Sequence, residues 1–189
     1  MTGQWPAGEQ GEQLKDWIES NRPALELAKQ ASAMPQYYMP FFRGDSDMLI
    51  EALLPTLGQS RQIARLLSAD ATLQISQGNS AAAIENYLIT QRMGHQIGNG
   101  KTLIEGLVGI ACASVAEAGM SRLAESGQAD AESLKTAMLE MQSLRESTPS
   151  FELMVQGEQQ WAGSFIDDVM ENRAGCEWPW ANSANPRRT

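Results

Sequence analysis

The shortage of residues suited to β-strands is the feature that most constrains this chain. It contains only four valines, whereas alanine, leucine, glutamate, glutamine and methionine are plentiful. Strand interiors favour β-branched residues, so a substantial sheet is hard to build from this inventory. No window shows the sustained apolar–polar alternation of a half-buried strand. The sequence therefore predicts an all-α fold.

Helical spacing of apolar residues, interrupted by Gly and Pro, divides the chain into about six to eight helices. Pro55 is expected to kink or break one of them, because proline removes a backbone donor and clashes with the preceding turn. Helices joined by short turns usually pack antiparallel. We therefore expect antiparallel hairpins stacked in order, either as a solenoid or as a compact bundle. The predicted helix starts are Glu9, Pro23, Asp45 or Ser46, Thr56, Ala81, Thr102, Asp130 and Phe151.

The same patterns predict one folded unit with non-helical ends. We expect an N-terminal tail over 1–8, a single all-helical domain over 9–174 and a non-helical C-terminal tail over 175–189. The segment LIEGLVGIACASVAEAG, which follows Thr102, is apolar on nearly all sides, as in a centrally buried helix. Gly106 and Gly109 in this segment would let a neighbouring backbone approach closely.

The turn after the long helix at 56–77 carries the most specific pattern, QGNSAAAIENY. This stretch resembles the second half of a tetratricopeptide repeat, in which a glycine closes helix A, small residues begin helix B and an aromatic residue follows. The matching positions are Gly78, Ala83 and Tyr87, with Leu67 and Ala71 at two helix-A positions. The resemblance covers about one degenerate unit, residues 64–97. It implies tetratricopeptide-like helical stacking and the binding of proteins or peptides on a concave surface.

The charge of the chain is strongly negative, with a formal net charge of −9. Proteins that bind nucleic acids usually carry a basic surface to neutralise phosphates, so DNA and RNA are poor candidates. Basic peptide segments are the natural electrostatic match. No membrane span or secretory signal is apparent from the sequence. We therefore expect a cytoplasmic protein by default.

The pattern of potential catalytic and metal-binding residues favours a protein without enzymatic activity. His95 is the only histidine, and Cys112 and Cys176 are the only cysteines. These residues do not have the spacing of metal ligands, and no serine lies in a nucleophile elbow. We expect no catalytic residues, no metal and no cofactor.

Two aromatic segments are candidate partner-contact surfaces, because aromatic residues without helical periodicity must pack on the body or on a partner. The first lies in a proline-containing connector and the second in the C-terminal tail. The candidates are Tyr37, Tyr38, Phe41, Phe42, Trp178 and Trp180.

Asp70 is a further candidate, because it interrupts an apolar helical stripe. A buried carboxylate needs a partner, and Arg92 or Arg61 could provide it. Asp70 is expected either to form a structural ion pair or to line a concave binding face.

These observations favour a non-enzymatic helical module for protein–protein interaction, a scaffold or adaptor. The alternative is a compact helical bundle that binds a small apolar ligand between its helices. A set of methionines at helical spacing would suit such an adaptable pocket. Its members are Met93, Met120, Met138, Met141, Met154 and Met170.

Overall fold

The protein is described by a computed structural model that covers residues 5–35, 37–38, 49–100, 102–148, 152, 154–159, 162–163 and 166. The described residues at 152–166 are helical, and no strand occurs in the part of the chain that is described. The predicted all-α fold is confirmed. The six bounded helices are α1 (Glu9–Ser20), α2 (Arg22–Ser32), α3 (Leu49–Ser76), α4 (Ser80–Gly98), α5 (Leu103–Ser126) and α6 (Ala131–Glu146).

Side-chain caps fix the starts of the last three of these helices. The Asn79 side chain accepts a hydrogen bond from a backbone N–H in the first turn of α4. Thr102 and Glu105 form a reciprocal capping box at the start of α5. The Asp130 side chain accepts from the backbone N–H of Ser133 at 2.8 Å at the start of α6. Each cap gives a partner to a backbone donor that the helix itself cannot satisfy.

Of the two outcomes expected at Pro55, a kink or a break, the break does not occur. The structure has one continuous helix, Leu49–Ser76, where the sequence predicted two. Pro55 is the seventh residue of this helix. Proline has a φ angle compatible with a helix, and it removes one hydrogen bond without preventing the following turns from forming.

Helix α4 lies at the centre of the fold and contacts α2, α3, α5 and α6. Its Tyr87 is 2% exposed and packs in a core cluster with Met120 and Leu123 of α5 and Met141 of α6. A second cluster contains residues of α1, α2, α3 and α4. Its members are Ile18, Leu25, Ala28, Leu66, Leu67, Ala69, Leu73, Ile89 and Met93. Trp5, which precedes α1, packs against this second cluster.

The backbones of α4 and α5 approach each other directly at Gly109, as predicted, whereas Gly106 faces the side chain of Met154 instead of a backbone. A Cβ atom added to Gly109 would lie 2.5 Å from the carbonyl oxygen of Gly94 and 2.6 Å from the backbone nitrogen of Gly98. Real Cβ atoms do not approach backbone atoms this closely. The separation of the two helices therefore depends on the absence of a side chain at residue 109.

Helix α5 has an exposed face, so its predicted burial on all sides is wrong. Leu107 is 55% exposed and Ile110 is 53% exposed, and Ala111, Ser114 and Ala118 are exposed as well. By length and composition, α5 is the one helix in the described ranges that could cross a membrane. Within the fold, 44% of its most apolar stretch is buried. The core helices of soluble proteins can have the same length and composition.

Candidate functional site

Asp70 lies in a buried polar cluster between α2, α3 and α4. It is 4% exposed, and its carboxylate accepts hydrogen bonds from three side chains. The donors are Nη1 of Arg22 at 3.3 Å, Nδ2 of Asn86 at 2.8 Å and Nε2 of Gln74 at 3.5 Å. Asp70 does form an ion pair, with Arg22 of α2, and the hydrogen bond from Asn86 extends the cluster to α4.

The predicted arginine partners of Asp70 are wrong. Arg92 instead bonds to Glu140 of α6 at 2.7 Å and to Glu85 of α4 at 3.3 Å, so it connects α4 to α6. The partner of Asp70 is Arg22, which is 48 residues away in sequence. Helical spacing within α3 and α4 contains no information about which side chain α2 presents.

The aromatic candidates are only partly described. Tyr37 is 37% exposed and Tyr38 is 82% exposed, both just after α2. Partial burial, and to a smaller extent the negative charge of Glu105, raises the pKa of Tyr37. The other candidates lie outside the described residues; they are Phe41, Phe42, Trp178 and Trp180.

A groove lies between α5 and α6, with a volume of about 730 Å³. We call it the methionine groove. Met120 and Met141 are buried, whereas Met138 and Leu139 of α6 are 56% and 58% exposed. The groove is therefore an apolar depression with an accessible wall. Its apolar lining consists of Met120, Ala124, Ala131, Leu134, Met138, Leu139 and Met141.

The two helices contribute opposite charges to the methionine groove. Glu117 and Glu125 line it from α5, whereas Lys135 and Arg145 line it from α6. At about 1.5 Å of rise per residue, each pair spans roughly 12–15 Å along its helix. This length corresponds to two or three turns of a bound helix. The charges can fix both the register and the direction of such an occupant.

A second depression, with a volume of about 360 Å³, lies between α4, α5 and the end of α6. We call it the glycine cleft. Four of its lining residues are glycines, two on each of α4 and α5, and a Cβ atom on Gly94 or Gly109 would meet the backbone of the facing helix. The cleft is lined by Gln91, Gly94, His95, Gly98, Gly106, Gly109, Ile110, Ala113, Ser114, Glu117, Arg145 and Thr148.

Gln91 is one of the residues that line the glycine cleft, and its side chain carries a buried polar atom without a partner among the described residues. Its side chain is almost fully buried, with 3% of the residue exposed. Within the described part of the chain, the amide oxygen Oε1 has no hydrogen-bond partner. A buried acceptor without a donor costs free energy, because it has lost its water without gaining a replacement.

His95 lines the same cleft in the last turn of α4, as the sequence predicted for a helix C-terminus. Nε2 lies 3.0 Å from the amide nitrogen of Asn99, and Nδ1 lies 3.3 Å from Oγ1 of Thr148. Thr148 Oγ1 in turn donates to the carbonyl of Leu144 at 3.1 Å. These contacts fit a neutral ring with the proton on Nδ1, donating to Thr148.

Glu117 and Arg145 line both depressions, which makes them the boundary between the methionine groove and the glycine cleft. Oε1 of Glu117 and Nη1 of Arg145 are 3.9 Å apart, and both side chains are partly exposed, at 44% and 67%. At this separation the contact is an ion pair without a hydrogen bond. The boundary can therefore rearrange at little cost.

Convergent metal ligands are not found in the described ranges, where no three His, Cys, Asp or Glu side chains come together. Comparisons with protein-family models, with curated proteins and with solved structures find no match for this chain. The two depressions are therefore the basis for inferring a function.

Several residues of the two depressions were not among the predicted sites. Met120, Met138 and Met141 appeared in the sequence only as a possible ligand pocket, and the structure brings them together in the groove. Gln91 was missed, although it follows Tyr87 by four residues and so lies on the same helix face. A polar residue on the same helix face as a buried aromatic residue can therefore indicate a buried polar group.

Proposed function

We propose that this chain is a non-enzymatic module for protein–protein interaction, and that its methionine groove receives an amphipathic helix of a partner protein. The open apolar groove, with Met138 and Leu139 more than half exposed, is the observation that carries this proposal. Apolar grooves of this kind receive helices through apolar residues three and four positions apart. Methionine suits such surfaces because its flexible thioether adapts to different shapes.

The charges of the groove specify the partner further. The chain is acidic overall, and α5 presents Glu117 and Glu125 along the groove. We expect a partner helix with lysine or arginine on the edge that faces α5. Acidic or neutral residues are expected on the edge that faces Lys135 and Arg145 of α6. This pattern would speed association and exclude helices in the reverse orientation.

The tetratricopeptide resemblance is consistent with this proposal. Gly78 closes α3 with a φ of +78°, a conformation that glycine adopts readily, and Asn79 then caps α4. Ala83 is fully buried, and Tyr87 packs against Gly119 of α5. The residues that carried the resemblance thus lie in the turn between α3 and α4 and in the packing of α4 against α5. As part of the same proposal, the module acts in the cytoplasm.

The alternative is a small apolar ligand in the same groove, and its methionine lining favours that reading. A small ligand resting on Met120 and Met141 would leave most of Met138 and Leu139 exposed to water. A helix would cover them, which is why a protein partner is preferred.

The test compares partner capture by matched variants of the full-length chain. In Met138→Glu a charge enters the exposed wall of the groove, and in Leu27→Glu the same charge enters an equally exposed site on α2. Leu27 is 65% exposed, so neither change disturbs the core. We expect a stoichiometric protein partner from the native host to be lost with Met138→Glu and kept with Leu27→Glu.

The charge prediction is tested with the same partner. The double variant Glu117→Lys and Glu125→Lys should weaken capture most at low salt, because surface electrostatics is screened as salt rises. A partner that binds Met138→Glu as well as the unmodified chain would refute the groove as the interface. A co-purifying small molecule without a protein would support the alternative.

A further inference from the structure

We propose that the helix received by the methionine groove is α6 of a second copy of this chain, in a symmetric dimer. Its two-fold axis is perpendicular to α6 and crosses that helix near residue 140. The dimer rests on the proposed function, because it names the partner that the same groove receives. Each copy places its α6 over the groove of the other, so the contact closes on itself and fills both grooves.

The outward face of α6 has the properties expected of the helix in the groove. Met138 and Leu139 are more than half exposed although they are apolar. Ala131, Met138 and Gln142 are all exposed, and their spacing of seven and four residues places them in one uncharged stripe along the helix. The chain therefore carries on one side both the groove and a helix of the kind that the groove is expected to receive.

The exposed side of α5 lets another helix approach closely. Ser114, Ser121 and Ala124 are exposed, and their spacing of seven and three residues gives α5 a face of small side chains. Ile110, which is 53% exposed, continues this face toward the start of α5. Because the side chains at the contact set the distance between packed helices, small residues here favour close packing.

Two charged residues determine the register of the dimer. Within one copy, Arg145 lies at the level of Glu117, with 3.9 Å between Nη1 and Oε1. Lys135 is exposed and lines the groove, and it forms no ion pair with any described residue. A two-fold axis midway between residues 135 and 145 exchanges the levels of Lys135 and Arg145. It thereby brings Lys135 of each copy to the level of Glu117 of the partner subunit.

The same axis brings the exposed apolar residues to the centre of the interface. Met138 and Leu139 lie two residues and one residue from residue 140, which is about 3 Å or less along the helix. The four apolar side chains of the two copies therefore meet at the axis. The charged pairs lie about 7.5 Å away on either side of it. An apolar centre with a charged rim is the usual arrangement of protein interfaces.

The size of this surface predicts a dimer of moderate affinity. The 16 residues of α6 span about 24 Å, and two adjacent helices are about 20 Å wide, so about 500 Å² of each copy is covered. The total of about 1,000 Å² is at the lower limit for a specific interface. Each copy carries a net charge of −9, but physiological salt screens charges more than about 8 Å apart. We therefore expect a dissociation constant in the micromolar range.

The first experiment measures the molar mass of the full-length chain by sedimentation equilibrium, from low micromolar to several hundred micromolar concentration. We expect the mass to rise from 20.6 kDa toward twice that value. Met138→Glu places two carboxylates at the axis and should raise the dissociation constant about 10-fold or more, because charges are costly to bury. Leu27→Glu, the same charge at an exposed site on α2, should leave the dimer unchanged.

A pair of charge reversals tests the contact between Lys135 and Glu117. Glu117→Lys opposes lysine to lysine across the interface, and Lys135→Glu opposes glutamate to glutamate. Each variant alone should therefore be monomeric at concentrations where the unmodified chain dimerises. An equimolar mixture of the two variants restores an opposite-charge pair at both contacts and should dimerise. Both residues are exposed, so neither change disturbs the core.

Three outcomes would overturn the dimer: a monomeric chain at the highest concentration, a dimer that Met138→Glu leaves intact, or a mixture of the two charge variants that stays monomeric. The proposed function has its own readout. A monomeric chain that loses a different protein partner with Met138→Glu would refute only the dimer. Dimerisation and partner capture that are both unchanged by Met138→Glu would refute the proposed function as well.

Discussion

The contact between α4 and α5 leads to a sharp prediction about Gly109. A Cβ at this position would lie 2.5 Å and 2.6 Å from two backbone atoms of α4. Ordinary van der Waals contact begins at about 3.4 Å, so the two helices must separate by nearly 1 Å in Gly109→Ala. The neighbouring atoms belong to the backbone and cannot rotate away as a side chain would.

The expected loss of stability follows from two opposing effects. Overpacking of a well-packed interface costs about 1–3 kcal/mol or more, and separation of α4 from α5 loosens further contacts along both helices. The change from glycine to alanine in a helix contributes about 1 kcal/mol in the other direction. Because a backbone clash belongs to the upper part of the overpacking range, we expect a net loss of about 1–2 kcal/mol. For a chain of this size this lowers the Tm by about 2–8 °C.

Gly58 offers a matched control within α3. A Cβ at Gly58 meets nothing within 4 Å, so Gly58→Ala gains helix propensity without a clash. It should raise the free energy of unfolding by about 0.5–1 kcal/mol. Both variants are measured by urea unfolding followed by circular dichroism. Equal or higher stability in Gly109→Ala would refute the close approach of α4 and α5.

Three other side chains give predictions that unfolding and labelling experiments can check. Asp70→Asn places an amide donor opposite that of Asn86 and should lower the free energy of unfolding by about 1–2 kcal/mol; an unchanged Tm would contradict the buried ion pair. Glu105→Ala removes the capping-box acceptor of α5 and should lower the free energy of unfolding in urea by about 1–2 kcal/mol. A decrease below about 0.5 kcal/mol would show that the cap is dispensable. Cys112 is 1% exposed, and burial raises the pKa of its thiol, so in a Cys176→Ser variant iodoacetamide should label it only after unfolding. Rapid labelling of the native protein would show that α5 opens.

The fold class was predictable because helix formation depends on local properties of the sequence. The helix starts near Ala81 and Asp130 and the approach of a backbone to Gly109 were also predicted from the sequence. The break that was one of two expected outcomes at Pro55 does not occur, since helix-breaking by proline depends on whether the flanking turns are stabilised elsewhere. That information lies in the packing of α3 against its neighbours.

The Asp70 cluster was much less predictable from the sequence, because its residues come from the three helices α2, α3 and α4. The pairing of Asp70 with Arg22 depends on how α2 packs across α3, which no spacing within one helix encodes. The exposed face of α5 was missed for a related reason. Leu107 and Ile110 are as apolar as core residues, and composition alone does not say whether a neighbouring helix covers them.

The central position of α4 has a consequence for how the protein opens. Amide hydrogens exchange only when the helix that protects them opens, and the free energy required grows with the contacts that must be broken. Helix α4 cannot open without releasing α2, α3, α5 and α6 together, whereas α1 contacts only α2 and α3. The slowest exchange is therefore expected in α4, and α1 can fray while the rest of the protein remains protected. The groove and the cleft both border α5, so both should survive such fraying.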